Sequence, residues 1–234
     1  MSSEAGPGVR TIVIAIDGPA ASGKSSTARW VARRLSYRHV DSGALYRAAT
    51  AAQLRRGTDP ERWTEEGVLA ETHRIELVPA DGTFDPLIDG RRVDGELRGS
   101  DVTKHVSHVA RMQGVREWVN ERVRLAARGH SVVVDGRDIG TAVFPDADIK
   151  IFLVADPWER ARRRLVQSLG RSPSDDEIAE ETDRIAHRDE SDAMQSSRAP
   201  DSVLIDTTYI TQEDQVDRIV ALAHAAEKRE KTAE

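Results

Sequence analysis

Residues 12–27 read IVIAIDGPAASGKSST, and the fold follows from how this stretch changes character part-way along. The apolar residues Ile12, Val13, Ile14, Ala15 and Ile16 have the length and composition of a buried strand, which stops at Asp17. Gly18, Pro19, Ala20, Ala21, Ser22, Gly23, Lys24 and Ser25 then fill the spacing G-x-x-x-x-G-K-[ST]. Ser26 follows, in a segment where Ala28, Val31, Ala32 and Leu35 recur at helical spacing. A glycine-rich turn between strand and helix is the setting in which this motif binds phosphate. Glycines admit backbone angles closed to other residues, so successive N–H groups curl around phosphate oxygens where the helix dipole also favours an anion. Lys24 is expected to reach the β- and γ-phosphates of a nucleoside triphosphate, and Ser25 to bind Mg²⁺.

Composition narrows the class. At 234 residues the chain can bury a core as one domain, expected over 11–226, with room for small insertions. The net charge of -6 argues against a general nucleic-acid binder, which needs a basic face. With no cysteine there are neither disulfides nor thiolate metal sites, as suits a reducing compartment. The opening residues 1–10 are polar, expected to be flexible, and lack an apolar core of signal-peptide length. The longest apolar runs, 12–16 and 151–155, are too short to cross a bilayer, so a soluble cytoplasmic protein without membrane or nucleic-acid partners is expected, and a monomer.

Outward from the phosphate loop, strands and helices alternate. Residues 38–40 are a short strand candidate ending in Asp41-Ser42-Gly43; 45–56 and 61–73 read as helices. Short extended pieces at 75–78, 86–89 and 92–94 are separated by Asp81-Gly82 and Asp89-Gly90, which read as turns of a small antiparallel sheet, an inserted subdomain over 71–105. One long helix is expected over 106–127, from Val109, Met112, Val115, Val119, Val123 and Ala126. Strands are expected at 132–134, 149–154 and 203–205. Pro157 opens the helix after the second of these, Ser174 with Glu177 forms a capping box, and Thr211 caps a last helix before a charged tail, 227–234, expected to fray. The pattern specifies an α/β fold: a mostly parallel sheet flanked by helices on both faces, with ligands beyond the carboxyl ends of its strands.

The residues that follow those strands carry the chemistry. Asp41, Ser42, Tyr46 and Arg47 occupy one strand-to-helix turn, where Asp41 or Ser42 could equally be a helix cap. Asp135 ends a strand and could hold a Mg²⁺-bound water; the adjacent Arg137 and Asp138 are either a surface pair or part of a site. Arg160, Arg162, Arg163, Arg164, Arg171, Arg184 and Arg188 form either a solvated helix face or, over 157–190, a lid that neutralises a phosphoryl group in transfer.

In order and spacing, IAIDGPAASGKSSTA, HVDSGALYRA, HVSHVARMQGVRE, VVVDGRDIGTAVFPDADIKIFL and RDESD resemble bacterial cytidylate kinases over nearly the whole chain, with DGRDIGTAVFPDA the most specific stretch. The resemblance implies transfer of the γ-phosphoryl group of ATP to CMP or dCMP, with Mg²⁺ accompanying ATP. It implies that 71–105 is a nucleoside-monophosphate-binding insertion. It further implies that Asp41, Ser42, Tyr46, Arg47, Ser107, Arg116, Arg137, Asp138, Arg188 and Asp192 bind CMP. Lys24, Arg137 and Arg188 would serve catalysis, and Arg160 and Arg164 would close over ATP as lid arginines. The chain departs from the family pattern at Gln195, where many members carry arginine, and Arg198 is the candidate substitute.

Two other readings stay open at this point. One is a kinase of another small acceptor, such as shikimate or dephospho-coenzyme A, on the same core. The other is a GTP-dependent switch, which ordinarily reads guanine through an [NT]-K-x-D loop that has no match here. Under the kinase readings no general base is needed for a phosphate nucleophile, because it is already ionised.

Overall fold

A computed structural model describes residues 11–192 and 196–231. Gln195 lies outside the described residues. The elements are β1 (Val13–Asp17), α1 (Lys24–Leu35), β2 (Arg38–Asp41), α2 (Ser42–Leu54), α3 (Glu65–Leu69), β3 (Ile75–Ala80), β4 (Thr83–Ile88), β5 (Arg91–Arg92), α4 (Asp94–Leu97), α5 (Ser100–Ala110) and α6 (Gln113–Ala127). They continue with β6 (Val132–Asp135), β7 (Ile149–Val154), α7 (Pro157–Leu169), α8 (Asp175–Asp192), β8 (Val203–Asp206) and α9 (Gln212–Lys231). The sheet order is β3-β4-β2-β6-β1-β7-β8, with β5 on β4; β2, β6, β1, β7 and β8 are parallel to their neighbours.

Alternation along the central strands sorts side chains into two cores. Ile14, Ile16, Val133, Ile151 and Leu153 face α1 and α9, where they meet Ala28, Val31, Val216 and Ile219. Ala15, Val132 and Val134 face the other way, onto Leu45 and Ala49 of α2 and Val115, Val119 and Val123 of α6. A parallel sheet covered on both faces needs apolar residues at successive positions, which is why β1 and β6 read as continuous runs. The tips of three strands are in register: Asp135 pairs with Ile16 on one side and Asp41 on the other.

The antiparallel strands expected within 71–105 are present, turning at Asp81-Gly82 and Asp89-Gly90. They do not stand apart as a sheet of their own: β4 pairs in parallel with the edge of β2 at His39 and Thr83. Two helix expectations are corrected. The helix read over 61–73 is instead a 3₁₀ turn at Pro60–Arg62, the five-residue α3 capped by Thr64, and a second 3₁₀ turn at Thr72–Arg74. The helix read over 106–127 is two helices, broken where Met112 is extended. Val109 and Val115 still enter one core across the break, so apolar spacing alone hides it. The last helix also continues into the expected tail, and the Tyr37 hydroxyl donates to the Glu227 carboxylate at 2.6 Å.

Leu45 is fully buried in the first turn of α2, within the core that packs this helix on the sheet. Leu45→Ala is expected to destabilise the chain by about 2–5 kcal/mol, because the site can only partly collapse. Denaturant unfolding checks this; an unchanged midpoint would contradict the packing.

Candidate active site

A cleft of about 1440 Å³ opens along the carboxyl edge of the sheet. Pockets for one drug-sized ligand occupy roughly 300–1,000 Å³, so this one has room for two small molecules. Its walls bring together residues far apart in sequence: Ala20, Ala21 and Gly23 to Ser26 from the phosphate loop; Asp41, Ser42, Tyr46 and Arg47 from the start of α2; and Ser107 and Arg116 from α5 and α6. Asp135, Arg137 and Asp138 follow β6, and Arg164, Arg188 and Asp192 come from α7 and α8.

The phosphate loop is shaped by backbone constraint. Gly18 has φ +148°, and a Cβ there would lie 2.2 Å from the Leu153 carbonyl oxygen of β7, so no other residue fits without moving the strand. Gly23, with φ +90°, precedes α1, whose first turn has neither a side-chain cap nor an acidic residue. Its first N–H groups therefore have no side-chain cap, the setting that suits an anion. Lys24 Nζ donates to the Pro19 carbonyl at 2.6 Å, across the loop. Burial lowers its pKa to about 7, with Arg137 adding to the effect. Phosphate oxygens would favour the charged form in return.

The carboxylates at the strand ends, buried at Asp17 and Asp135 and half-buried at Asp41, are each held differently. Asp17 accepts hydrogen bonds from the Ile139 and Gly140 amides, both at 2.8 Å, which fastens the turn after β6 to the phosphate loop. Asp135 accepts from Ser25 Oγ at 2.5 Å and from His39 Nε2 at 2.6 Å. Asp41 caps α2 through the Ala44 amide, so the capping alternative and a place in the cleft both hold for it. Burial, then the neighbouring Asp135, pushes the Asp41 carboxyl upward. Ser42 Oγ donates to the Asp135 carbonyl at 2.8 Å.

On the opposite wall, guanidinium groups are paired in advance. Arg116 bonds Asp138 and the Ala110 carbonyl, beside Tyr46, whose hydroxyl burial pushes up. Arg137 Nη2 reaches Asp192 at 2.7 Å while its Nη1 reaches the Gly18 carbonyl at 3.2 Å. Arg188 stands 3.7 Å from Asp192, its pKa lowered to about 10 by burial and then by Arg137. Arg47 donates to the Leu97 carbonyl and to Thr103 Oγ1, and burial lowers its pKa.

Some expectations take another form. Arg160 does not line the cleft: buried to 5% exposure, it donates to the Ala20 carbonyl at 2.9 Å and to Asp189 at 2.6 Å. Asp189 in turn accepts from the Ala20 amide, so Arg160 braces the phosphate loop from behind. Arg164 is on the wall, paired with Glu181 at 3.0 Å. Arg198 turns to Ser202 and does not line the cleft in place of an arginine at position 195. Asp206 closes a local turn onto Thr208. Missed by sequence reasoning were Arg98 and Thr103 beside Arg47, Gln167, the group Ile210, Thr211, Gln212 and Gln215, and the place of His39. Apart from His39, which opens HVDSGALYRA, none of these lies in a motif; only the fold brings them to the cleft.

A phosphate loop at the head of a parallel sheet, facing a wall of arginines across a cleft large enough for two ligands, defines a P-loop kinase. The cytidylate kinase family profile matches residues 14–225. Cytidylate kinase of Geobacillus thermodenitrificans is 45% identical over 221 residues, covering 92% of this chain and 97% of that one. The protein of that name from Pelodictyon phaeoclathratiforme is 40% identical over 232 residues, covering 94% and 98%. The chain belongs to the cytidylate kinase family. In fold alone it is also similar to the crystal structure of an uncharacterized protein from Eubacterium ventriosum, with a TM-score of 0.50 and 13% identity over 90% of this chain and 97% of that one.

Burial pushes the Asp17 carboxyl up from 3.8 to about 6, against the pull of its two amide bonds. The folded chain thus keeps a proton that the unfolded chain releases, and stability falls as pH rises from about 4 to 6, by up to about 3 kcal/mol. Asp17→Asn removes that dependence. Unfolding free energies of the two proteins are expected to diverge in favour of the variant over this window and run parallel above it; parallel curves throughout would refute the assignment.

Proposed function

We propose that the cleft transfers the γ-phosphoryl group of ATP to the phosphate of CMP or dCMP, giving ADP and CDP or dCDP, with the phosphate-loop side holding the donor and the α2–α6 side the acceptor. The observation that carries this reading is Arg137, whose guanidinium spans from the Gly18 carbonyl of the phosphate loop to Asp192 on the acceptor side. A fixed cation at that seam is where charge accumulates as the phosphoryl group passes.

Each residue then has a task. The uncapped amides of α1 and Lys24 hold the β- and γ-phosphates, for which Lys24 leaves the Pro19 carbonyl. Ser25 and Asp135 present hard oxygen donors side by side at the mouth of the loop, a set that fits Mg²⁺. Bound there with ATP, Mg²⁺ would neutralise phosphate charge. No cluster of three or more His, Cys, Asp or Glu side chains suited to a metal occurs among the described residues, in keeping with an ion held mainly by substrate phosphates. Arg47 and Arg188 clamp the acceptor phosphate, which is already ionised and needs no base. Arg116, Asp138 and Ser107 face the base, and Asp192 the sugar. Paired before substrate arrives, Arg116 and Asp138 offer the cytosine edge a donor and an acceptor in fixed orientation.

Residues 71–105 as the acceptor-side insertion and 157–190 as the lid belong to this proposal. So does a cytoplasmic monomer acting on small molecules. No helix among the described residues is long and apolar enough to cross a membrane.

A coupled assay offering CMP, dCMP, UMP, AMP and shikimate at fixed ATP is expected to rank CMP and dCMP first; a better rate with any other acceptor would sink the reading. Asp138→Ala is expected to raise the CMP KM by about 10–100-fold, the worth of a hydrogen bond to a charged group. The ATP KM should hold. If ATP binding collapses instead while the CMP KM stays, the two halves of the cleft have been assigned the wrong way round.

A further inference from the structure

His39 opens the HVDSGALYRA stretch, and its ring lies at the cleft against Asp135. It sits in the middle of β2, where alternation places side chains inside, and is only 1% exposed. Its Nε2 donates to Asp135 Oδ1 at 2.6 Å while Ser25 Oγ takes Oδ2 at 2.5 Å. Both oxygens of the Asp135 carboxylate are therefore fixed, one from behind and one from the phosphate loop.

The ring itself is held by its neighbours. The His39 amide donates to the Gly82 carbonyl at 2.9 Å, and Thr83 Oγ1 donates to the His39 carbonyl at 3.2 Å and lies 3.5 Å from Nδ1. These contacts are the joint at which β4 meets β2, and Gly82 and Thr83 line the acceptor side of the cleft. A carboxylate with a free rotor could turn either oxygen away from the loop; one locked by a buried N–H donor presents the same oxygen at every encounter.

We infer that His39 is a positioning residue for the reaction: its Nε2–H orients Asp135 so that the carboxylate, together with Ser25, receives the Mg²⁺ that accompanies the nucleotide. This rests on the reading of Asp135 as the acid that holds the ion. At 1% exposure, with its Nε2 on Asp135 Oδ1, His39 acts on the reaction through Asp135. A histidine that merely satisfied a buried carboxylate would change stability and leave metal dependence alone.

The test compares ADP binding with and without Mg²⁺ by titration calorimetry, in the wild type and in His39→Leu, His39→Gln and Asp135→Asn. Leu fills the space without a donor, whereas the Gln amide can place an N–H near Nε2. His39→Leu is expected to reduce the tightening of ADP by Mg²⁺ about tenfold, at the low end for residues that orient a metal's ligands, with metal-free ADP affinity within about twofold of wild type. His39→Gln is expected to restore most of the loss. If His39→Leu does not fold by circular dichroism, the comparison passes to Gln against the shorter Asn, of which only Gln should retain the Mg²⁺ effect. The inference is overturned if His39→Leu keeps the full effect, if Gln rescues nothing, or if metal-free affinity falls in step. Asp135→Asn separates the two levels: should it keep the Mg²⁺ effect, the reading of Asp135 fails. Should it lose the effect while His39→Leu does not, only the role of His39 falls.

Discussion

The structure depends on holding buried and half-buried carboxylates side by side at the tips of its central strands. Asp17, Asp135 and Asp41 end β1, β6 and β2, and Asp135 stands in register opposite Asp41. Adjacent buried anions repel one another and are costly to desolvate, so each must be met by donors. Asp17 takes two backbone amides, Asp135 takes an imidazole and a hydroxyl, and Asp41 takes the first turn of α2. Each donor comes from a different segment. Satisfying the carboxylates therefore pulls the turn after β6, the phosphate loop, β2 and α2 to a single edge, which is where the cleft forms.

The same logic, with signs reversed, organises the far wall. Arg116, Arg137 and Arg164 each meet a carboxylate or carbonyl before any phosphate arrives. Pairs of this kind contribute little net stability, because desolvation offsets the attraction. What they contribute is order. A guanidinium already fixed by Asp138 or Asp192 does not have to be immobilised when substrate binds, and it keeps its charge in a partly buried cleft. Arg47, held only by a carbonyl and a hydroxyl, and Arg188, at 3.7 Å from its nearest carboxylate, are the less committed cations. They are accordingly the groups best placed to exchange weak contacts for a phosphate.

What was legible in the sequence follows from which forces are local. The phosphate loop could be read because its glycines answer to backbone geometry within a few residues, and β1 and β6 because a strand buried on both faces must be apolar throughout. The parallel order of those strands followed from the helical crossovers. The break at Met112 was hidden, since both helices send valines into one core and the interval suits a single helix as well as two. The turns over 60–74 were hidden for a related reason: Thr64 is a helix cap with Glu65 and Glu66 behind it, a local stop signal that the apolar spacing masked. Cleft residues within motifs were legible. The place of His39 was not, although it opens the HVDSGALYRA stretch, because only the register of β2 with β6 and β4 makes it the neighbour of Asp135. Arg160 was legible as an arginine of the lid segment but not as a brace, since that role depends on Asp189 lying behind the phosphate loop.

That last contact also ties the phosphate loop to the arginine wall. Along α8 the inward stripe begins apolar, with Ile178 and Ile185 packed on Ala161, Leu165 and Ala21 of the phosphate loop. It ends charged. Arg188, Asp189 and Asp192 continue the three- and four-residue spacing beyond Ile185, so the face that packs the hairpin becomes the face that meets the cleft. Asp189 grips the donor loop through the Ala20 amide and Arg160, whereas Arg188 and Asp192, a turn or less away, meet Arg137 and the acceptor side. A helix is too stiff over one turn for these residues to move independently. Any shift of α8 that moves Arg188 and Asp192 therefore also shifts the carboxylate that holds Ala20, so the arginine wall and the phosphate loop are coupled through a single turn of helix.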